Sequence, residues 1–303
     1  MFLTPLLQTR TARSRDTYDE VADASAALVI GAYSSSFGLA SRLLGEPVRG
    51  HVRNVYALVR VADEIVDTPR PGRGPAQQRL DLDALEEETL TALAVGSSSN
   101  LVVHAFARTA RSCGIEPALV TPFFSSMRTD LERTVHDEAS LATYVHGSAE
   151  VVGLMCLRAF LAGEADPARQ YDALAPGARR LGSAFQLVNF LRDLGEDADE
   201  LGRRYLPGLD PQHVDERVRS EWLDRIDADL AAAATVVPAL PRSSRLAVCA
   251  VHDLFAELAA RLRRTPATEL VRRRVRVPDP VKARLVAGAV LRGGRPRALA
   301  SAA

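Results

Sequence analysis

Asp63 and Asp67 stand four residues apart in the stretch Tyr56-Ala-Leu-Val-Arg60-Val-Ala-Asp63-Glu64-Ile-Val-Asp67. On a helix this spacing puts both carboxylates on one face, about 5–6 Å apart at Cβ, close enough to share a divalent ion or flank a pair of them. Tyr56 and Arg60 fall on the same face. Carboxylates at a helix C-terminus meet the negative end of the dipole and repel each other, a cost that a cation relieves. A second stretch repeats the pattern, with Gln186, Asn189, Asp193 and Asp197 forming one polar stripe among apolar residues. One isolated acidic pair reads first as a solvated helix end. Four oxygen-bearing side chains on an otherwise apolar helix need partners. Hard oxygen donors suit Mg2+, with Mn2+ its nearest substitute, better than zinc or iron. Two acidic pairs repel an anion, so metal ions would bridge carboxylate to phosphate.

Helices must position these groups. Apolar residues recur at helical spacing, as in Val55, Leu58, Val59, Ala62, Ile65 and Val66, and alternating β-branched runs are scarce. The pattern predicts an all-α protein with helices over 18–32, 35–44, 48–67, 79–94, 100–113, 117–134, 140–163, 170–195, 217–236, 242–264 and 278–292. The Pro- and Gly-rich segment 68–78 predicts an exposed loop, and 195–212 predicts a second polar break. Each follows an acidic motif, which sets both motifs at helix ends facing a common rim.

The chain has 303 residues, 47% of them apolar, and reads as one domain over 1–303 with tails at 1–17 and 293–303. Lys+Arg and Asp+Glu both total 38, so no overall basic field points to nucleic acid. Lys282 is the sole lysine, a poor basis for Schiff-base or pyridoxal chemistry. Cys113, Cys156 and Cys249 lack metal or disulfide spacing and read as reduced core thiols. No apolar run reaches the ~18 residues of a membrane span. The expected location is cytoplasmic, with contact at a membrane surface left open.

Taken in order, Ser34-Ser-Ser36-Phe37, the Tyr56 to Asp67 motif, Met127-x-x-Asp130-Leu131, Tyr144-x-His146 with Gly153, the Gln186 to Asp197 motif and Arg204-Tyr205-Leu206-Pro207 resemble the squalene and phytoene synthases, from about residue 30 to 285. The resemblance implies one isoprenoid-synthase helical bundle with a central active-site cavity. It implies that Asp63, Asp67, Asn189, Asp193 and Asp197 hold a magnesium–diphosphate cluster. Ser34, Ser36, Phe37, Tyr56, Arg60, Gln186, Asn189, Arg204 and Tyr205 would contact substrate or shape its pocket. Tyr144, Arg60, Asp63 and Asp193 would act in catalysis, Tyr144 through proton handling and by steadying the carbocation. Ser34 and Ser36 read alternatively as helix caps, and Tyr144 as a core aromatic. Arg272, Arg273, Arg274 and Arg276 fit phosphates, an anionic membrane or a solvated face equally.

One departure stands out: Gly147-Ser148-Ala149-Glu150 replaces the V-A-G segment of some relatives. Glu150 would lie on a cavity wall or turn away to pair with an arginine. Other wall residues are expected at Phe37, Val151, Leu154 and Phe185.

The implied reaction is Mg-dependent head-to-head condensation of two prenyl diphosphates, geranylgeranyl diphosphate giving phytoene through a cyclopropyl diphosphate, without NADPH. Alternatives are squalene or dehydrosqualene formation from farnesyl diphosphate, prenylation of an aromatic acceptor, and a non-catalytic lipid-binding role.

Overall fold

The computed structural model describes residues 4–33, 40–68, 72 and 74–298. Among these residues every regular element is a helix, joined by two isolated bridges, Val135 with Arg204 and Asp210 with His213. The all-α expectation holds.

Helix α1 spans Thr4–Tyr33, so residues 4–17 are helical rather than a tail. Helix α2, Val48–Asp67, buries Val55, Leu58, Ala62 and Val66 at three- and four-residue intervals. It stops where Thr68 turns extended (φ −111°, ψ 91°) ahead of Pro69, because a proline disfavours helical backbone in the residue before it. Helix α3, Pro75–Val95, starts inside the segment expected as loop. Proline is at home in a first helical turn, whose amide hydrogens have no intrahelical partner. Helices α4, Leu101–Cys113, and α5, Pro117–Glu132, follow.

The single helix expected over 140–163 is three pieces: α6, Glu138–Val145, a π-helical turn at His146–Glu150, and α7, Val151–Leu161. Gly147 sits where the turn presses on α5. A Cβ there would lie 2.1 Å from Ser126 Oγ and 2.2 Å from the Pro122 carbonyl oxygen, so only glycine fits. Helix α8, Pro167–Arg192, is followed directly by a short α9, Leu194–Glu200, across a break at Asp193 (φ −101°, ψ 11°). The helix predicted to run to 195 therefore stops at 192, and part of the predicted 195–212 loop is helical. Helices α10, Glu216–Val236, and α11, Arg242–Arg264, match expectation, and short α12, Ala267–Leu270, precedes α13, Asp279–Leu291.

The expected tail at 293–303 is anchored as far as residue 298: the Arg297 amide donates to Asp253 Oδ1 at 3.1 Å, and Arg292 pairs with the same fully buried carboxylate. The expected helix at 35–44 lies largely outside the described residues. Two main apolar groups build the interior. One joins α2 to α5 and α7 around Leu58, Phe106, Phe124 and Met155. The other joins α8, α10 and α11 around Leu191, Leu223, Ile226 and Phe255. Residues from both sides line one deep cavity.

Candidate active site

Asp63 and Asp67 occupy the last turns of α2, Asp193 the α8–α9 break, and Asp197 the start of α9. All four line a cavity of ≈ 610 Å³, together with Tyr56, Arg60, Gln186 and Asn189. The i to i+4 backbone bonds persist across the break, with the Asp193 amide donating to Asn189 O at 2.8 Å and the Asp197 amide to Asp193 O at 2.9 Å. Asp197 thus keeps its place on the polar stripe although it belongs to the next helix. Below this rim the walls are apolar, formed by residues such as Val55, Val152, Leu157, Leu181, Phe185 and Val251.

Carboxylates gathered at one end of an apolar cavity create a shortage of positive charge. Burial, then the Asp67 carboxylate, pushes the Asp63 carboxyl up to about 7. Burial, then Asp193, does the same to Asp197, also to about 7. Asp193 accepts from Arg192 Nε at 2.8 Å and lies 2.8 Å from Arg274 Nε, while Asp67 accepts from Arg203 Nη1 at 2.7 Å. The donor set of four carboxylates and the Asn189 amide is all hard oxygen, which fits Mg2+. Among the described residues no three acidic, histidine or cysteine groups converge closely enough to enclose an ion by themselves. An ion here would complete its shell with substrate phosphate oxygens and water.

Beside the carboxylates, and joined to Asp67 through Arg203, sits a buried polar knot. The Tyr144 hydroxyl donates to Asp130 Oδ2 at 2.7 Å, and the Tyr205 hydroxyl donates to Asp130 Oδ1 at 2.8 Å. Arg203 Nη1 donates to the Tyr205 hydroxyl oxygen at 3.3 Å, and Arg203 Nη2 donates to Val66 O at 3.1 Å. Burial raises the Asp130 carboxyl to about 6, against the opposing pull of Arg203 and the two phenols. Burial, and next the Asp130 charge, drives the Tyr144 phenol far above its ordinary value.

Several sequence expectations change here. Ser34, Ser36 and Phe37 lie outside the described residues. The Arg204 side chain is 44% exposed and pairs with Asp210 at 3.6 Å, while the neighbouring Arg203 reaches the cavity. The extended backbone around the Val135–Arg204 bridge explains this, because alternate residues point to opposite sides: Arg203 and Tyr205 turn inward, Arg204 outward. Val151 and Leu154 do not line the cavity; Val152, Gly153 and Cys156 do. The π turn inserts one residue into the helical register, so the inward face after it differs from the one an unbroken helix would present. Cys156 therefore belongs to the wall, although Cys113 and Cys249 are buried as expected. Glu150 is not among the lining residues, and it pairs with His146 at 2.9 Å rather than with an arginine. Of the basic run, Arg274 reaches the rim, whereas Arg273 pairs with Glu269 at 2.5 Å. Arg60 lines the cavity with its guanidinium 4.4 Å above the Tyr33 ring and 2.5 Å from Glu64.

Asp130 and Arg203 also line the cavity, and sequence reasoning does not single them out. Their sequence signal was a lone acid in a matched motif and the first of two adjacent arginines, neither of which sets it apart from a surface charge.

Residues 30–280 match the squalene/phytoene synthase family. A phytoene synthase from Rhodobacter capsulatus is 31% identical over 258 residues, covering 79% of this chain and 73% of that protein. A presqualene diphosphate synthase from Rhodopseudomonas palustris is 32% identical over 178 residues, covering 58% of this chain and 59% of that protein, so this match spans less than two thirds of the relative. A dehydrosqualene synthase solved in complex with ligand shares the fold, with a TM-score of 0.76 at 20% identity over 90% of this chain and 97% of that one. The chain belongs to the squalene/phytoene synthase family and is an enzyme of the prenyltransferase class.

Proposed function

We propose that this enzyme joins two allylic prenyl diphosphates head to head, geranylgeranyl diphosphate giving phytoene through a cyclopropyl diphosphate. The observation that carries this is the convergence of two acidic motifs on one end of a single deep apolar cavity. Asp63, Asp67, Asn189, Asp193 and Asp197 would hold Mg2+, which when bound supplies the charge that stabilises a departing diphosphate. Arg60 and Gln186, on the same rim, orient the diphosphates. The apolar walls, with Phe185 stacked 3.9 Å from Phe255, exclude water from the allylic cation. The acceptor double bond then attacks C1, a proton leaves, and the ring closes. A second ionisation and rearrangement lead to the linear hydrocarbon, which ends by proton loss without NADPH.

From Asn189 down to Leu174, both cavity-lining, α8 rises about 22 Å at 1.5 Å per residue, a depth that supports a long prenyl chain. Glu150, the feature that would favour an aromatic acceptor, turns away from this space. Among the described residues no helix is long and apolar enough to cross a membrane.

The test is incubation with Mg2+ and either geranylgeranyl or farnesyl diphosphate, with and without NADPH, followed by mass analysis of the hydrocarbon extract. Phytoene from geranylgeranyl diphosphate alone is the expected result. Hydrocarbon that appears only with NADPH would replace it by a squalene-forming reaction.

A further inference from the structure

Resting on the head-to-head reaction above, we infer that Asp130 is the positioning group and final proton acceptor of a two-step relay through Tyr144. Asp130 is 9% exposed, faces the cavity, and accepts the hydroxyl hydrogens of Tyr144 and Tyr205, one on each carboxylate oxygen. The Tyr144 hydrogen is thereby committed to Asp130. With its hydrogen so engaged, the phenol oxygen has only lone pairs left to offer a proton donor in the cavity it lines. Tyr144 cannot wait as a phenolate, because burial and the adjacent carboxylate hold its proton far more tightly than in water. A neutral phenol takes up a proton only if it passes its own onward. Asp130 Oδ2, 2.7 Å away, is placed to receive it.

The step balances without an added reagent. When the cyclopropane ring closes, a C–H bond of the cation breaks and its electron pair forms the new C–C bond. The proton passes to the Tyr144 oxygen as the Tyr144 hydroxyl proton moves to Asp130 Oδ2. Tyr144 ends neutral, as it began, and Asp130 ends as the carboxylic acid, to be deprotonated by solvent when product leaves. Tyr205 and Arg203 have a different part. Their contacts hold Asp130 ionised at rest and fix its second oxygen, so that Oδ2 alone serves Tyr144. Arg203 Nη1 lies 3.9 Å from Asp130 Oδ1, on the Tyr205 side. His136 packs behind the knot, its ring centroid 5.3 Å from that of Tyr144, and blocks solvent from that direction.

The experiment measures cyclopropyl diphosphate and hydrocarbon formed by the full chain from geranylgeranyl diphosphate and Mg2+ in single turnovers, for wild type, Asp130→Asn, Asp130→Glu, Tyr144→Phe and Asp130→Glu/Tyr144→Phe. Asp130→Asn should slow ring closure about a hundredfold, with KM changed by less than about threefold. Asp130→Glu keeps the acceptor but displaces it, and should slow ring closure several-fold in the wild-type background while changing nothing further in the Tyr144→Phe background. A purely structural carboxylate predicts additive losses and an unfolding midpoint that falls in step with activity. Ring closure within about threefold of wild type in Asp130→Asn overturns the relay, as does a full additive loss from Asp130→Glu in the Tyr144→Phe background. The second comparison is decisive even where Asp130→Asn fails to fold. A wild-type chain that ionises the diphosphate but joins no two chains overturns the proposed function itself, and the relay with it.

Discussion

Arg203 donates to Asp67 Oδ1 at 2.7 Å from a position where its side chain is only 7% exposed, tying the first acidic motif to the chain that follows the second. The same guanidinium reaches Tyr205, so one cation links the carboxylate rim to the pair of phenols on Asp130. Removing one partner of a buried ion pair leaves the other uncompensated. Arg203→Met should therefore destabilise the metal-free protein by about 2–3 kcal/mol, toward the low end for buried pairs because Asp67 is 37% exposed. Arg204→Ala, which loses only an exposed contact, should stay within about 0.5 kcal/mol of wild type. Urea unfolding midpoints compare the two. Equal losses would mean that the inward and outward roles of this arginine pair are misassigned.

Asp63→Ala and Asp193→Ala are each predicted to lower turnover at least about a hundredfold with little change in folding, since each removes charge stabilisation at the leaving group. Excess EDTA should abolish activity, and added Mg2+ should restore it. Turnover that persists in chelator, or near-normal rates in both variants, would show the acidic helix ends to be structural.

The contributions of Asp63 and Asp197 to metal-free stability should fall as pH rises from about 4 to 7. Asp63 and Asp197 are both pushed up to about 7 when folded, by burial first and a neighbouring carboxylate second. An unfolded aspartate titrates near 3.9. Across that window each of these two carboxyls holds its proton more firmly in the folded protein than in the unfolded chain, so its contribution to stability drops as pH rises. Mg2+ with inorganic diphosphate competes with those protons, so its stabilising effect should be larger at pH 8 than at about pH 5.5. Thermal melts of wild type and Asp63→Asn across this range provide the check. The difference between them should shrink at low pH, where Asp63 is already neutral, and a constant difference would contradict it.

Much of this site is legible in the sequence, for a definable reason. Asp63 and Asp67 on α2 and the Gln186 to Asp197 stripe obey helical spacing, and spacing alone puts each set on one face. The boundaries of α2, α10 and α11 follow from the same periodicity and from proline-containing ends. What sequence spacing could not supply is register after an irregularity. The π turn at His146–Glu150 moves the inward face from Val151 and Leu154 to Val152, Gly153 and Cys156. The break at Asp193 puts Asp197 on a new helix without disturbing its direction. The motif match singles out Arg204, and nothing in residue type separates it from Arg203. Only the extended backbone between them and Val135, a tertiary feature, decides which one enters the cavity. In an extended stretch Arg203 and Tyr205 fall on one side and Arg204 on the other.

The π turn itself supports the last prediction. Gly147→Ala would place a methyl 2.1 Å from Ser126 Oγ and 2.2 Å from the Pro122 carbonyl oxygen. Ser126 is itself held, donating to Tyr144 O at 3.1 Å, so it cannot swing aside without loosening the residue whose phenol is bonded to Asp130. Pro122 is backbone within α5 and has still less room to yield. Relief must come from the turn, by separating it from α5 or by losing its extra residue and resetting the register of α7. Overpacking of this kind costs about 1–3 kcal/mol. It should lower turnover as well, because Ser148, Ala149, Val152 and Gly153 all face the cavity from this segment. Gly31→Ala is the matched control. An added Cβ there meets nothing within 4 Å, and alanine in a helix is favoured over glycine by about 0.5–1 kcal/mol. Denaturation midpoints and single-turnover rates measured together should show Gly31→Ala slightly more stable and Gly147→Ala less stable and slower. A Gly147→Ala enzyme with wild-type midpoint and rate would mean that the turn adapts freely and does not fix the cavity wall.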